Sequence, residues 1–253
     1  MIQEYFAIGH SFLHTIDPRY RVIAAILFSF ITALSYRWET LICALLSAFF
    51  LVFLAQLNLG LVMKRLSVLL GFLLLIWIVL PITYEGPAML QIGPFDVVKA
   101  GVVLSMQITI KSVSILTAFM ALVATMPIAT LGHTLGQLGI PDKIVHLTLI
   151  TYRYIFVIQQ EYLCLTSAIK IRGFIPKTNL HTYRTYAYLV GMLFVRAFTR
   201  AQRVDQAMRC RGFHGKFYSL HQFNSSPYNY IFMIGFLGLA TTLILLEGGF
   251  LMA

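Results

Sequence analysis

The sequence predicts an all-α integral membrane protein with about five spans and a cytoplasmic domain of long amphipathic helices. Of its 253 residues, 59% are hydrophobic and only 11% are charged, whereas about a quarter of the residues in a soluble domain are charged. The apolar residues form several segments that approach or exceed the roughly 17–25 residues of a membrane helix. The net charge is +10, which on an apolar chain is typical of a cytoplasmic membrane surface and rarely indicates nucleic-acid binding.

Five apolar segments are predicted to span the membrane: Arg21–Tyr36, Thr40–Leu57, Leu66–Ile82, Val97–Met126 and Tyr228–Leu246. Only three residues separate the first two, which predicts a tight helical hairpin. Between the third and the fourth, Gly86, Pro87, Gly93 and Pro94 predict a short irregular loop. The first segment lacks a convincing cleavage site, so we expect it to be retained as a helix.

Charge divides the chain into three predicted domains. Residues 1–126 form a membrane domain of four spans, residues 127–226 a polar domain, and residues 227–253 a C-terminal transmembrane helix. The polar domain contains twelve of the nineteen Lys and Arg residues and only three acidic residues. Because cationic loops remain in the cytoplasm, we expect this domain and the N-terminus to be cytoplasmic.

Two segments of the polar domain match each other at a distance of 39 residues. Residues 168–174 read AIKIRGF and residues 207–213 read AMRCRGF. Apolar residues precede each segment at spacings of three and four, which predicts that each one ends a helix. Gly173 and Gly212 can adopt the left-handed conformation with which helices commonly end.

The second of these helices carries a seven-residue apolar repeat, which predicts packing against another helix at a shallow angle. The repeat consists of Ala187, Val190, Phe194, Ala197, Ala201, Val204, Met208 and Arg211. Arg196, Arg200 and Arg203 lie outside it, and we expect them to form a solvated face or to face lipid headgroups.

The spacing within each matching segment puts a small residue and an arginine on one helix face. Ala168 and Arg172 are four residues apart, as are Ala207 and Arg211. The alanine permits close approach, and the arginine offers a planar fork of five donors. A single arginine at a helix C-terminus commonly interacts only with the helix dipole. Two nearly identical ends instead favour docking to two copies of one partner.

These Arg-Gly ends, together with the segment 16–19 that reads IDPR, resemble the transmembrane T component of energy-coupling factor (ECF) transporters. The chain length and the Asp-Pro-Arg sequence are most similar to the cobalt-type member, CbiQ. The resemblance implies that Arg172 and Arg211 each contact one of two ATP-binding-cassette (ABC) ATPase subunits. It also implies that four small residues permit the close fit: Ala168, Gly173, Ala207 and Gly212.

The resemblance further implies a coupling function in a bacterial inner membrane. The apolar faces of the same helices would contact a separate substrate-binding membrane protein, the S component. Closure of the ATPase pair on ATP would move the two helix ends and reorient that protein. The substrate would be a divalent metal ion such as cobalt or nickel.

The segment around Pro18 is expected to start the first span. Asp17 before Pro18 fits a helix N-cap followed by proline at the first helical position. Through the resemblance, Asp17, Pro18 and Arg19 are also candidates for fixing the cytoplasmic domain.

Lys111 lies within the fourth predicted span, where an ionisable residue is a candidate functional site. Its neighbours Gln107, Thr109, Ser112, Ser114 and Thr117 indicate a polar helix face directed toward other helices. The alternative to a coupling subunit is a stand-alone secondary transporter or channel whose path this span lines. A scaffold that binds anionic lipid would also explain the charge, but not the paired helix ends.

The sequence contains no motif of catalysis or of cofactor binding. GxxxxGK[ST], GxSxG and HExxH are absent, so any ATP must be bound by a partner. His10 and His14 have helical spacing but no acidic or thiolate neighbour, so we expect no metal site there. The three cysteines, Cys43, Cys164 and Cys210, show no CxxC spacing and predict neither disulfides nor a zinc site.

Overall fold

The structure, a computed structural model, describes residues 11–84, 88–92, 95–213 and 228–248. The helices are α1 (Phe12–Thr15), α2 (Pro18–Leu34), α3 (Trp38–Leu54), α4 (Leu59–Thr83), α5 (Lys99–Leu122), α6 (Ile128–Gln137), α7 (Asp142–Ile171), α8 (Leu180–Cys210) and α9 (Tyr228–Gly248). Two short strands, β1 (Ala88–Ile92) and β2 (Phe95–Val98), lie between α4 and α5. The fold is therefore predominantly helical, as the composition predicts.

In the described part of the chain, three helices are long and apolar enough to cross a membrane, namely α4, α5 and α9. Helices α2 and α3 have 17 residues each, which is at the lower end of the range for a spanning helix. The predicted fourth span, residues 97–126, is too long, because its helix begins at Lys99 and ends at Leu122. The protein is thus of the membrane type, while the count of five spans stays a prediction.

The connection between α4 and α5 differs from the expected irregular loop. Strands β1 and β2 pair antiparallel, with Gln91 opposite Asp96 and Ile92 opposite Phe95. The physical reason is that apolar residues of high strand propensity flank both sides of the Gly-Pro dipeptide in the sequence.

The chain divides into two compact units, one covering residues 135–222 and the other residues 3–134 and 223–253. In the second unit, small buried side chains allow close approach of the helices. These are Ala24 and Ala25 of α2, Ala44 and Ala48 of α3, and Ala118 and Ala121 of α5. The larger side chains of this core include Phe28, Phe232 and Phe236.

The first unit consists mainly of α7 and α8, with 30 and 31 residues. The seven-residue repeat of α8 was predicted to pack against another helix. This prediction is wrong for the first half of the repeat, since Val190 and Phe194 are 49% and 73% exposed. Thr182 and Leu189 are the buried residues of this helix. The heptad pattern of α8 is therefore not matched by a continuous contact with α7, and much of its apolar surface lies open.

Candidate coupling site

Helix α7 ends in a Schellman motif. Gly173 has a φ of +79°, and its N–H donates to the carbonyl of Lys170 at 3.0 Å. The N–H of Phe174 donates to the carbonyl of Ile169 at 3.2 Å. These two bonds satisfy carbonyl groups that the end of a helix otherwise leaves without a partner. Arg172 is the C-cap residue, so the motif fixes its backbone.

Helix α8 ends in the same motif. Gly212 has a φ of +78°, and its N–H donates to the carbonyl of Arg209 at 3.0 Å. The N–H of Phe213 donates to the carbonyl of Met208 at 3.1 Å, and Arg211 is the C-cap residue. The sequence repeat is therefore a structural repeat, with glycine in the left-handed conformation at both ends as predicted.

The candidate docking residues are exposed at both ends: Ala168, Arg172 and Gly173 of the first, and Ala207, Arg211 and Gly212 of the second. Within the described residues, neither the Arg172 nor the Arg211 guanidinium has a hydrogen-bond or ion-pair partner. The nearby Arg209, in contrast, pairs with Asp205 at 3.0 Å. Both C-cap arginines thus present all five donors to an external acceptor.

Aromatic packing supports the end of α7. The Phe174 ring lies 6.0 Å from the Tyr186 ring in an edge-to-face arrangement, and 6.2 Å from the His181 ring. Ile171 is 87% exposed beside it. The end of α7 is thus a supported tip with apolar as well as cationic surface, which is the composition of a protein-binding patch.

An ion-pair cluster that was not predicted from the sequence joins α7 to α8. Glu161 accepts a hydrogen bond from Arg196 at 2.8 Å and from Arg200 at 2.6 Å. The hydrogen bond from Arg196, with the charges of both arginines, lowers the pKa of the Glu161 carboxyl from its ordinary value. Arg196 and Arg200 are exposed, as predicted for a solvated face, but both also pair with Glu161, which the sequence did not indicate. The available signal was the repeat itself, because Glu161 and Arg200 are also 39 residues apart.

The start of α2 is built as predicted. Asp17 is the N-cap and accepts a hydrogen bond from the Arg19 backbone N–H at 3.0 Å, with Pro18 at the first helical position. The Asp17 backbone N–H donates to Asn229 Oδ1 at 3.0 Å. Because Asn229 belongs to α9, this segment joins the beginnings of two helices of the membrane unit.

Arg21, the first residue of the first predicted span, is a buried cation. It is 2% exposed, and its Nε donates to the carbonyl of Leu122, the last residue of α5, at 3.1 Å. A second nitrogen donates to the hydroxyl of Thr125. Arg21 therefore caps the C-terminus of α5 and fixes the segment that follows it.

We expect Arg21→Met to lower the free energy of unfolding by about 1–3 kcal/mol, because it leaves the buried Leu122 carbonyl without its donor. Thr125→Val is the milder control, since Arg21 keeps its bond to the carbonyl. Thermal unfolding of the detergent-purified chain measures both. If Arg21→Met melts at the same temperature as the unaltered chain, the bond from Arg21 to the Leu122 carbonyl contributes nothing to stability.

Lys111 of α5 contacts the C-terminal end of α2, at the opposite end of the α2–α5 pair from Arg21. Its Nζ donates to the carbonyl of Ala33 near the end of α2 at 2.8 Å, and lies 4.3 Å from the centre of the Tyr36 ring. Three hydroxyls of α5 bond to backbone carbonyls of their own helix: Ser105 to Gly101, Thr109 to Ser105, and Ser114 to Ile110. The buried Thr117 hydroxyl has no hydrogen-bond partner among the described residues. These contacts favour helix packing over a polar transport path.

We therefore expect Lys111→Met to retain uptake and to lower stability by only about 1–2 kcal/mol, the sum of a helix-end charge and a cation–π contact. A conducting lysine would behave differently, because its loss would abolish transport. Uptake and thermal unfolding of the same preparation separate the two cases. Loss of uptake at unchanged stability would revive the secondary-transporter alternative.

Metal ligation has no candidate in the described part of the chain, where no group of three or more His, Cys, Asp or Glu side chains could hold an ion. His10 lies outside the described residues. Cys43, Cys164 and Cys210 are free thiols on exposed residues.

Comparisons with known proteins agree on one family for this chain. A protein family described as "Cobalt transport protein" (CbiQ) matches residues 9–222. The energy-coupling factor transporter transmembrane protein EcfT of Bacillus subtilis is 28% identical over 226 residues, which are 85% of each chain. The cobalt transport protein CbiQ of Salmonella typhimurium is 30% identical over 156 residues, 58% of this chain and 68% of the relative. An uncharacterized protein of Methanocaldococcus jannaschii is 25% identical over 228 residues, 88% of this chain and 84% of the relative.

The named relatives are transporter membrane proteins, and none is named as an enzyme. Their names agree with the long apolar helices of this chain. Because the family match covers most of the sequence, the chain belongs to the CbiQ/EcfT family of transporter transmembrane proteins.

Proposed function

We propose that this chain is the transmembrane coupling subunit of an ATP-driven ECF-type uptake transporter. The observation that carries the proposal is the pair of matching helix ends, each with an exposed C-cap arginine, at Arg172 and Arg211. Two copies of one structural motif suit two related binding grooves. The partners we propose are two ABC-type ATPase subunits, each of which receives one end.

A second partner is proposed for the open apolar surface of the coupling helices. Large side chains of α7 and α8 are exposed along their length: Leu147, Leu163, Tyr183, Tyr188, Phe194, Val195 and Phe198. Exposed apolar surface on this scale is typical of an interaction site. We assign it to the membrane-embedded S component, which binds the substrate.

The proposed mechanism transmits motion without chemistry in this chain. ATP binding closes the ATPase pair, and each ATPase carries one Arg-Gly end with it. The coupling helices then reorient the S component. ATP hydrolysis takes place in the partner subunits, and this chain needs neither a catalytic residue nor a cofactor of its own.

The proposed topology follows from the charge distribution. Five spans (α2–α5 and α9) place the N-terminus and residues 127–226 in the cytoplasm, where cationic segments remain. The membrane is the inner membrane of a bacterial cell, and the exposed apolar side chains of α4, such as Phe72 and Leu74, face lipid.

The proposed substrate is cobalt ion, which the names of the family and of the Salmonella relative support, with nickel ion as the alternative from the sequence resemblance. Uptake of radiolabelled cobalt into vesicles that carry the whole transporter tests this proposal. We expect uptake that requires ATP and persists after the ion gradients are collapsed. Uptake driven by a gradient in the absence of ATP would contradict the coupling function, and uptake of a vitamin alone would contradict only the substrate.

A further inference from the structure

Glu161 of α7 and Arg200 of α8 lie at equal distances from the Arg-Gly ends of their own helices. Arg172 follows Glu161 by eleven residues, and Arg211 follows Arg200 by eleven residues. Because Glu161 Oε1 and Arg200 Nη2 are 2.6 Å apart, the two helices touch at equivalent positions of the repeat. At the rise of an α-helix, each end lies about 16 Å from this contact.

The apolar contact beside the ion pair is incomplete. A crevice of about 380 Å³ lies between α7 and α8, whereas protein interiors are normally packed as densely as organic crystals. Its apolar lining includes Tyr154, Ile158, Ala197, Val204 and Met208. Close packing is therefore incomplete next to Glu161, and the two hydrogen bonds to this residue connect the helices at this point.

The geometry points to Glu161, Arg196 and Arg200 as the pivot of the coupling helices. These positioning residues hold the two helices at matching points of the repeat and so set the distance between the two Arg-Gly ends. The crevice leaves space into which the helices can rotate about this contact. The consequence for transport rests on the proposed function, but the positional claim can be tested by itself.

Loss of the pivot should loosen the helices without unfolding them. The cluster is partly exposed, with the side chains of Glu161, Arg196 and Arg200 at 24%, 45% and 43% of their full accessibility. Exposed ion pairs contribute little to stability. Spacing between the helix ends, not folding, is therefore the property that depends on Glu161.

Pulsed electron paramagnetic resonance measures that spacing directly. Spin labels are placed at Ser167 and Gln206, which are exposed and equivalent in the repeat, in the full chain with Cys43, Cys164 and Cys210 changed to serine. We expect one narrow distance distribution for this parent chain and a broadened or shifted one for Glu161→Gln. Arg203→Gln is the matched control, because Arg203 lies on α8 near Arg196 and Arg200 and has no partner among the described residues.

A charge swap tests whether Glu161 acts through its ion pair with Arg200 or has only a general structural role. We expect Glu161→Arg to broaden the distribution, and Glu161→Arg combined with Arg200→Glu to narrow it again. An unchanged distribution in Glu161→Gln would overturn the proposal, as would a swap that fails to narrow the distribution while the variant remains folded.

The effect of the pivot on transport is measured in the complete transporter. Glu161→Gln should reduce the uptake per ATP hydrolysed by about threefold to thirtyfold while the ATPases still co-purify. If Glu161→Gln takes up as much substrate per ATP hydrolysed as the unaltered chain, the pivot has no role in coupling. If no ATPase binds even the unaltered chain, the proposed function fails, but the distance measurement still decides whether the pivot exists.

Discussion

Arg172→Glu or Arg211→Glu is expected to abolish ATP-driven uptake while the protein remains inserted in the membrane. Each arginine is an exposed helix C-cap whose backbone a Schellman motif holds in place. Charge reversal removes five donors and places a carboxylate at the negative end of the helix dipole. Loss of one partner of a charge pair in an interface costs about 2–5 kcal/mol, so uptake should fall by about thirtyfold or more.

Arg203→Glu is the matched control, since it reverses an exposed arginine on the same helix away from the tip. We expect near-normal uptake for this variant. Immunoblots of the membrane fraction check insertion, and co-purification checks binding of the ATPases. Normal uptake in Arg172→Glu or Arg211→Glu, at normal protein levels, would show that the helix ends do not carry the coupling.

Gly173→Val or Gly212→Val is expected to weaken uptake by about tenfold, because the left-handed conformation costs an L-residue about 1–2 kcal/mol. The φ values are +79° and +78°, and no heavy atom lies within 4 Å of a Cβ built at either position. Within this chain, backbone strain is therefore the main cost of the substitution, because a Cβ at either position meets no other described atom. A helix end that unwinds would no longer present its arginine in the docking geometry.

Asparagine provides the control, because it tolerates the left-handed conformation better than other non-glycine residues. We expect Gly173→Asn and Gly212→Asn to keep most of the uptake. The comparison is made by uptake assays at matched protein levels. Equal effects of valine and asparagine would indicate that the site needs the absence of a side chain and not the left-handed backbone.

Features that depend on local sequence could be predicted. The left-handed glycines, the Asp17 N-cap and the apolar helices follow from rules that operate within a few residues along the chain. The 39-residue repeat predicted two equivalent helix ends, and the structure has both. The partners were predicted only from the family resemblance, because no local rule of sequence can identify them.

Features that depend on contacts between distant segments could not be predicted. The heptad pattern of α8 indicates an apolar face but does not say what covers it, and Phe194 lies exposed. The bonds from Arg196 and Arg200 to Glu161 depend on how α7 and α8 meet. The bond from Arg21 to the Leu122 carbonyl joins residues 101 positions apart, which a charge count along the chain cannot reveal.

Co-purification from native membranes in mild detergent tests the central claim most directly. The account predicts that the unaltered chain is recovered with two ABC-type ATPase subunits and an S component. It also predicts that the double variant Arg172→Glu, Arg211→Glu loses the ATPases and keeps the S component. Recovery of a pure, transport-competent single chain without ATPase subunits would contradict the account.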